Sequence, residues 1–332
     1  MAVTLVACGG STGSSGDVDT VMDTTLDTGE SDSTSTDTVA GDSVGTDTSG
    51  VGDTAEPADT VETADTTPVR AEWPPPTELG DSRTAPVMVP SSYDGYGAVP
   101  AVFLLGGYDY FSEDLDDWIS LSARVDSAGF VLVLPDGLVD SDGSPYWNAT
   151  DTCCDYDETG VDDVGWLTGL IDELESRFHI SGVGLVGHSA GGFMAYRMAC
   201  EVPDRLGGLV SIAGSGFLDE EDCAVTDVPL SVLQVHGEDD DIMPFSGDDE
   251  APGIYEMLDR WALRDGCALE SWNEALSSVA YATEGESEDD FFTDCPDGLD
   301  VRLWYLYGAD HYPDFEPVFT DTLLGWLLPR LR

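Results

Sequence analysis

The chain has 332 residues, 67 acidic side chains against eleven basic ones, and a formal net charge of −56. Every basic residue is Arg, so the chain lacks the cationic face that nucleic acid or an anionic lipid surface requires. Its 41 % hydrophobic content, including 31 aromatic residues, is still enough to build a folded core.

Met1 to Cys8 ends in Leu-Val-Ala-Cys, which resembles a bacterial lipobox, so residues 1–8 read as the remnant of a truncated lipoprotein signal. Acylation of Cys8 would be the chain's link to membrane lipid, and the expected location is extracellular or the outer membrane of a bacterium. Residues 9–70 read as a disordered linker. Between Gly9 and Pro68 lie 14 acids, no Arg and no aromatic residue, a composition that cannot bury enough apolar surface to offset chain entropy. Its Asp residues do not have the spacing of a calcium loop. Residues 69–332 carry the other 53 acids and all eleven Arg, a net of −42, together with every Trp, Tyr and Phe. Residues 71–332 therefore read as one folded domain, expected to be monomeric.

Within it, apolar runs alternate with amphipathic stretches. A buried strand at 101–105 precedes a helix over 113–127, a strand at 130–134 and a helix over 161–178. In the last, Val164, Leu167, Leu170, Ile171, Leu174 and Phe178 share one face. Strand 183–186, helix 190–200, strands 209–212 and 230–235, helix 254–264, strand 301–307 and helix 316–331 follow. This alternation predicts an α/β fold with a mostly parallel central sheet covered by helices on both faces. Chemistry in such sheets gathers beyond the carboxyl ends of the strands.

Besides Cys8 there are six cysteines: Cys153, Cys154, Cys200, Cys223, Cys267 and Cys295. An even number in an exported protein suggests disulfides, while the absence of C-x-x-C pairs and of nearby His argues against zinc. The adjacent Cys153 and Cys154 are not expected to pair with each other. They are expected to reach Cys200 and Cys223, leaving Cys267–Cys295 to staple a late loop.

The pattern G-x-S-x-G occurs twice. Gly41–Gly45 lies in the linker with neither strand nor helix beside it. Gly187-His188-Ser189-Ala190-Gly191 follows the apolar run VGLV and opens a helix, the context of a nucleophile elbow. Ser189 is the expected nucleophile. In this architecture the acid and then the base follow the serine in sequence. Of the four His, His179 lies at a helix end, His188 flanks the nucleophile where the elbow points neighbouring side chains away, and His236 begins an acidic turn. Elimination leaves His311 as the base. Spacing does not choose among Glu238, Asp239, Asp240 and Asp241 for the acid.

Arg83-Thr84, Val89 to Gly95, Pro135-Asp-Gly137, Trp147-Asn-Ala149, Cys153-Cys154, Val161 to Val164 and Gly187 to Cys200 occur in that order. Together they resemble the polyhydroxybutyrate-depolymerase-like and feruloyl-esterase-like secreted α/β-hydrolases, over nearly all of 83–312. The resemblance implies an α/β-hydrolase fold, makes Asp240 the triad acid through its His-Gly-x-x-Asp turn, and also supports Cys267–Cys295. The oxyanion hole is expected from the backbone N–H groups of Ala190 and Tyr108. Where the family has His-Gly before the second donor, this chain has Gly106-Gly107. The family also tends to place a Trp soon after its catalytic His, whereas here Tyr312 follows.

The expected chemistry is ester hydrolysis through an acyl-enzyme on Ser189, with no metal or organic cofactor. The expected substrate is a polyhydroxyalkanoate-type polyester or its oligomers, with feruloylated or acetylated plant polysaccharide as the alternative. Tyr108, Trp147 and Tyr312 are candidate substrate walls; for Tyr108, Trp147 and the neighbouring Tyr146, core packing beside the site is the equal alternative. A peptidase of the same fold and a non-catalytic surface lipoprotein are the remaining alternatives. The acidity of the domain itself suggests a saline setting, where counterions relieve self-repulsion.

Overall fold

The computed structural model describes residues 69–223 and 228–332. The lipobox Cys8, the Gly41–Gly45 motif and the linker to residue 68 lie outside the described residues. In chain order the elements are β1 (Glu78–Leu79), β2 (Ala85–Met88), β3 (Val99–Leu105), α1 (Ser112–Ile119), β4 (Val131–Val133), β5 (Leu138–Val139), β6 (Pro145–Tyr146) and α2 (Asp163–Arg177). Then come β7 (Ile180–His188), α3 (Ala190–Glu201), β8 (Gly208–Ile212), β9 (Ser231–Gly237), α4 (Ile254–Arg264), β10 (Trp272–Asn273), β11 (Ser287–Phe292), β12 (Val301–Leu306) and α5 (Val318–Leu327).

Ten strands form one sheet in the order β1-β2-β4-β3-β7-β8-β9-β12-β11-β10. The centre, from β4 to β12, is parallel, and an antiparallel pair closes each side. The expected α/β-hydrolase architecture is what the chain adopts. Every residue of β3 is buried, because helices cover both faces of the sheet. Phe103 and Leu105 meet Leu167, Ile171 and Phe193 from α2 and α3 on one face. Val102 and Leu104 meet Leu115 of α1 and Phe319 and Leu323 of α5 on the other.

One expected element changes and one strand appears that no expectation covered. The helix over 113–127 stops at Ile119, because Ser120 adopts a left-handed conformation (φ 56°) and the Asp116 carboxylate accepts the Ser122 N–H at 2.8 Å. The strand β11 carries no apolar run to announce it, its sequence being Ser-Glu-Asp-Asp-Phe-Phe. It is held by pairing with β12 and by the Asp289–Arg302 ion pair at 2.7 Å.

The disulfides are Cys153–Cys154, Cys200–Cys223 and Cys267–Cys295. The last is the expected pair. The vicinal pairing corrects the expectation that Cys153 and Cys154 would reach Cys200 and Cys223. The fold brings Cys200, near the end of α3, against Cys223, with Cα atoms 5.1 Å apart, so those two are joined to each other and are not partners for Cys153 and Cys154.

Candidate active site

The central strands end along one edge of the sheet, and their loops assemble there. β7 ends at His188 and α3 begins at Ala190, leaving Ser189 alone to reverse the chain at φ 52°, ψ −122°. A non-glycine residue rarely holds such a backbone, and at a strand–helix junction it lifts the side chain out of the turn. The flanking glycines make this turn sterically possible. A Cβ on Gly187 would lie 2.1 Å from the Gly191 carbonyl oxygen, and one on Gly191 would lie 2.1 Å from that of Leu105. Ser189 is partly exposed, whereas both its neighbours are buried.

The turn after β9 carries Asp240 and the loop after β12 carries His311, both buried. His311 Nδ1 lies 2.8 Å from Asp240 Oδ2. The other carboxylate oxygen accepts the N–H groups of Ile242 at 3.0 Å and Met243 at 2.8 Å. Burial pushes the Asp240 pKa up, but the hydrogen bond and charge of His311, with the Met243 N–H and His236, outweigh it and hold the carboxyl below its ordinary value. Of the four acids that spacing left open, Asp240 is the one bonded to His311. Glu238 instead accepts the Gly308 N–H at 3.1 Å.

His236 lies at the end of β9, fully buried, with Nε2 donating to the Met243 carbonyl at 2.8 Å and Nδ1 accepting from Gln234 Nε2 at 3.0 Å. Burial lowers its pKa, so it braces the Asp240 turn as a neutral ring. His179 is remote, near the Tyr96 carbonyl at 3.3 Å. His188 does point away from Ser189, as expected, but not into bulk core: its Nε2 lies 2.8 Å from the His311 carbonyl oxygen. Sequence reading missed this contact, which has no local signal. Ser189 Oγ has no hydrogen-bond partner among the described residues.

The loop after β3 brings Tyr108 toward the elbow. Neither the Tyr108 nor the Ala190 backbone N–H has an acceptor among the described residues, and Ala190 is the first residue of α3, where such donors are left over. The Tyr108 hydroxyl donates to Asp140 Oδ2 at 2.5 Å. Burial and then that bond raise the phenol above its ordinary pKa. Gly106-Gly107 has a steric reason. A Cβ on Gly106 would lie 2.7 Å from the Tyr110 carbonyl oxygen, and one on Gly107 would lie 2.3 Å from the Tyr110 hydroxyl.

Of the candidate substrate walls, Tyr312 is 52 % exposed, with its ring edge-on to His311 at 4.9 Å between centroids. Tyr108 is partly exposed and meets Tyr156 edge to face at 5.4 Å. Trp147 is not a wall. It is 1 % exposed and its indole N–H donates to the Gly106 carbonyl at 2.9 Å, so it supports the loop from below. Tyr146 is buried likewise.

Residues 77–292 match the Esterase family model, described as "Putative esterase". That span contains Ser189 and Asp240 and stops short of His311. The chain is 30 % identical over 192 residues to "Putative esterase NocK" of Nocardia uniformis, covering 57 % of this chain and 54 % of that protein, so it spans about half of that relative's length. It is 24 % identical over 220 residues to "Probable feruloyl esterase C" of Aspergillus niger, covering 64 % of this chain and 71 % of that one. Among solved structures, the acetyl xylan esterase of Aspergillus awamori superposes with a TM-score of 0.54 at 14 % identity, over 75 % of this chain and 97 % of its own, a likeness of fold.

Proposed function

The chain belongs to the Esterase family, and on that premise we propose that it is a serine carboxylesterase using Ser189, His311 and Asp240. The observation that carries this reading is the buried Asp240–His311 pair at 2.8 Å, on the same sheet edge as the Ser189 elbow.

His311 Nε2 takes the proton of Ser189 Oγ as that oxygen attacks the ester carbonyl. Asp240 keeps the proton of His311 on Nδ1 and stabilises the imidazolium that forms. The backbone N–H groups of Ala190 and Tyr108 receive the developing oxyanion, each such donor being worth roughly 10²–10³ in rate. The alcohol leaves with the proton from Nε2, and water repeats the sequence on the acyl-enzyme.

For the substrate we favour esters of an aromatic acid on polysaccharide. Exposed Tyr312 and partly exposed Tyr108 offer stacking faces, and a feruloyl esterase is among the relatives. Polyhydroxyalkanoate oligomers are the second reading, supported by the motif order from Arg83 to Cys200. The three disulfides support export to an oxidising compartment, with Cys8 as the proposed lipid anchor.

Ser189→Ala is expected to lower p-nitrophenyl acetate hydrolysis by roughly 10³-fold or more and to abolish labelling by a fluorophosphonate. Retained hydrolysis would refute the assignment. Methyl ferulate and hydroxybutyrate oligomers assayed side by side separate the two substrate readings.

A further inference from the structure

The loop that carries His311 runs from the end of β12 to the start of α5 without regular structure. Backbone bonds pin its two flanks: the Ala309 carbonyl accepts the Asp239 N–H at 2.9 Å, the Asp314 carbonyl accepts the Thr283 N–H at 2.9 Å, and Phe315 bridges to Ala282. Between those flanks, two carbonyls are held by side chains from elsewhere. That of His311 accepts from His188 Nε2 at 2.8 Å, and that of Pro313 accepts from the Trp118 indole N–H at 3.1 Å. Trp118 also stands edge-on to the His188 ring, with centroids 5.0 Å apart.

A carbonyl can only accept, so His188 must carry its proton on Nε2 and present a bare Nδ1. The partner of Nδ1 is the hydroxyl of Tyr110, which must donate to it. Tyr110 belongs to the loop after β3, and its hydroxyl packs against Gly107, next to the Tyr108 N–H proposed for the oxyanion hole. The chain Tyr110 O–H, His188 Nδ1, His188 Nε2–H, His311 carbonyl thus spans three segments: the oxyanion loop, the nucleophile elbow and the base loop.

We propose that His188 is a positioning residue which, as a neutral imidazole whose Nε2–H tautomer is selected by the His311 carbonyl and supported by the Tyr110 hydroxyl at Nδ1, sets the base loop against the nucleophile. This rests on the serine-esterase reading of the same site. Burial, reinforced by the neighbouring charge of His311, pushes the His188 pKa down to about 3, so the ring stays neutral wherever an esterase of this kind works. The tautomer matters because a proton on Nδ1 would turn the Nε2 lone pair toward the His311 carbonyl and repel it. The carbonyl itself selects against that alternative, and Tyr110, by donating to the bare Nδ1, stabilises the tautomer that holds the loop. Sequence spacing conceals the device, because His311 is 123 residues beyond His188 and Tyr110 is 78 residues before it.

The test compares Tyr110→Phe, His188→Gln, His188→Leu and Ser189→Ala with the wild type, in the full chain, on p-nitrophenyl acetate. Tyr110→Phe removes one oxygen and is expected to lower kcat about ten-fold with KM changed less than about two-fold. His188→Leu is expected to lose about a hundred-fold or more, and His188→Gln to recover at least about ten-fold of it, because its amide N–H can still reach the His311 carbonyl. Equal activity of the Gln and Leu variants, or an unchanged kcat in Tyr110→Phe, would overturn the positioning role. If His188→Leu fails to fold, Tyr110→Phe decides alone. The Ser189→Ala control separates the two readings: activity lost there but intact in Tyr110→Phe defeats only the positioning role.

Discussion

Two buried aspartates, one in the turn after β9 and one at the C-terminus of α4, show what burial does and does not decide. Asp240 and Asp265 are 5 % and 3 % exposed, respectively. Asp240 is held below the ordinary carboxyl pKa, while Asp265 is pushed up to about 7. In both the largest influence is desolvation, which favours the neutral acid. The difference lies in the donors. Asp240 faces His311 Nδ1 and the N–H groups of Ile242 and Met243. Asp265 has the Leu230 N–H at 3.0 Å on one oxygen, with its other oxygen buried and unpartnered. It also sits where the negative end of the α4 dipole disfavours a carboxylate. A buried acid stays ionised only where the fold aims hydrogens at it. For Asp240 that arrangement lies at the sheet edge carrying Ser189.

The comparison can be broken most directly at Asp240. Asp240→Asn keeps the shape but removes the charge that holds the His311 tautomer, and kcat should fall by roughly 10³–10⁴-fold. A loss of less than ten-fold in steady-state kinetics would mean that His311 does not depend on that carboxylate.

Asp265→Asn should act in the opposite sense, on stability. A carboxyl whose folded pKa lies above its unfolded value contributes most at low pH, and that contribution is lost as pH rises from about 4 through 7. The Asn variant lacks this penalty and should be more stable than the wild type at pH 8 by roughly 2–4 kcal/mol, with no difference near pH 4. Denaturant melts at the two pH values check it. A gain of the same size at both would trace to packing instead of ionisation.

The smallest effect concerns the net of −42 over residues 69–332. Exposed carboxylates are screened by salt, whereas the buried pair is not. Raising NaCl from about 0.05 M to about 2 M should raise the melting temperature of wild type and Asp265→Asn by the same several degrees. A melting temperature indifferent to salt would remove the saline setting from consideration.

Much of the architecture was legible because it depends on near neighbours. The run Val-Gly-Leu-Val before Gly187 and the helix after Ala190 mark a strand–turn–helix within a few residues, and both α3 and α4 begin where the periodicity predicts. Elements that draw their stability from elsewhere were not legible. β11 is a strand because β12 lies beside it, and the 113–127 helix ends at Ile119 because Asp116 caps the following turn. Sequence leaves Trp147 as either substrate wall or core packing, and its burial, with the indole N–H on the Gly106 carbonyl, makes it core.

The sequence by itself determined the class of the sheet and the strand–turn–helix at Ser189, and by elimination it singles out His311 as the proposed base. Each is written in residue type, local period or order along the chain. The family resemblance points to Asp240 and to Cys267–Cys295, but tertiary structure decided what spacing leaves open: which of four clustered acids bonds to His311, how Cys153, Cys154, Cys200 and Cys223 pair, and what His188 holds. Those contacts join residues 71 apart for Asp240–His311 and 123 apart for His188–His311. At such separations the path of the intervening chain, set by strand order and loop packing, fixes which atoms meet. No spacing rule along the sequence encodes that path.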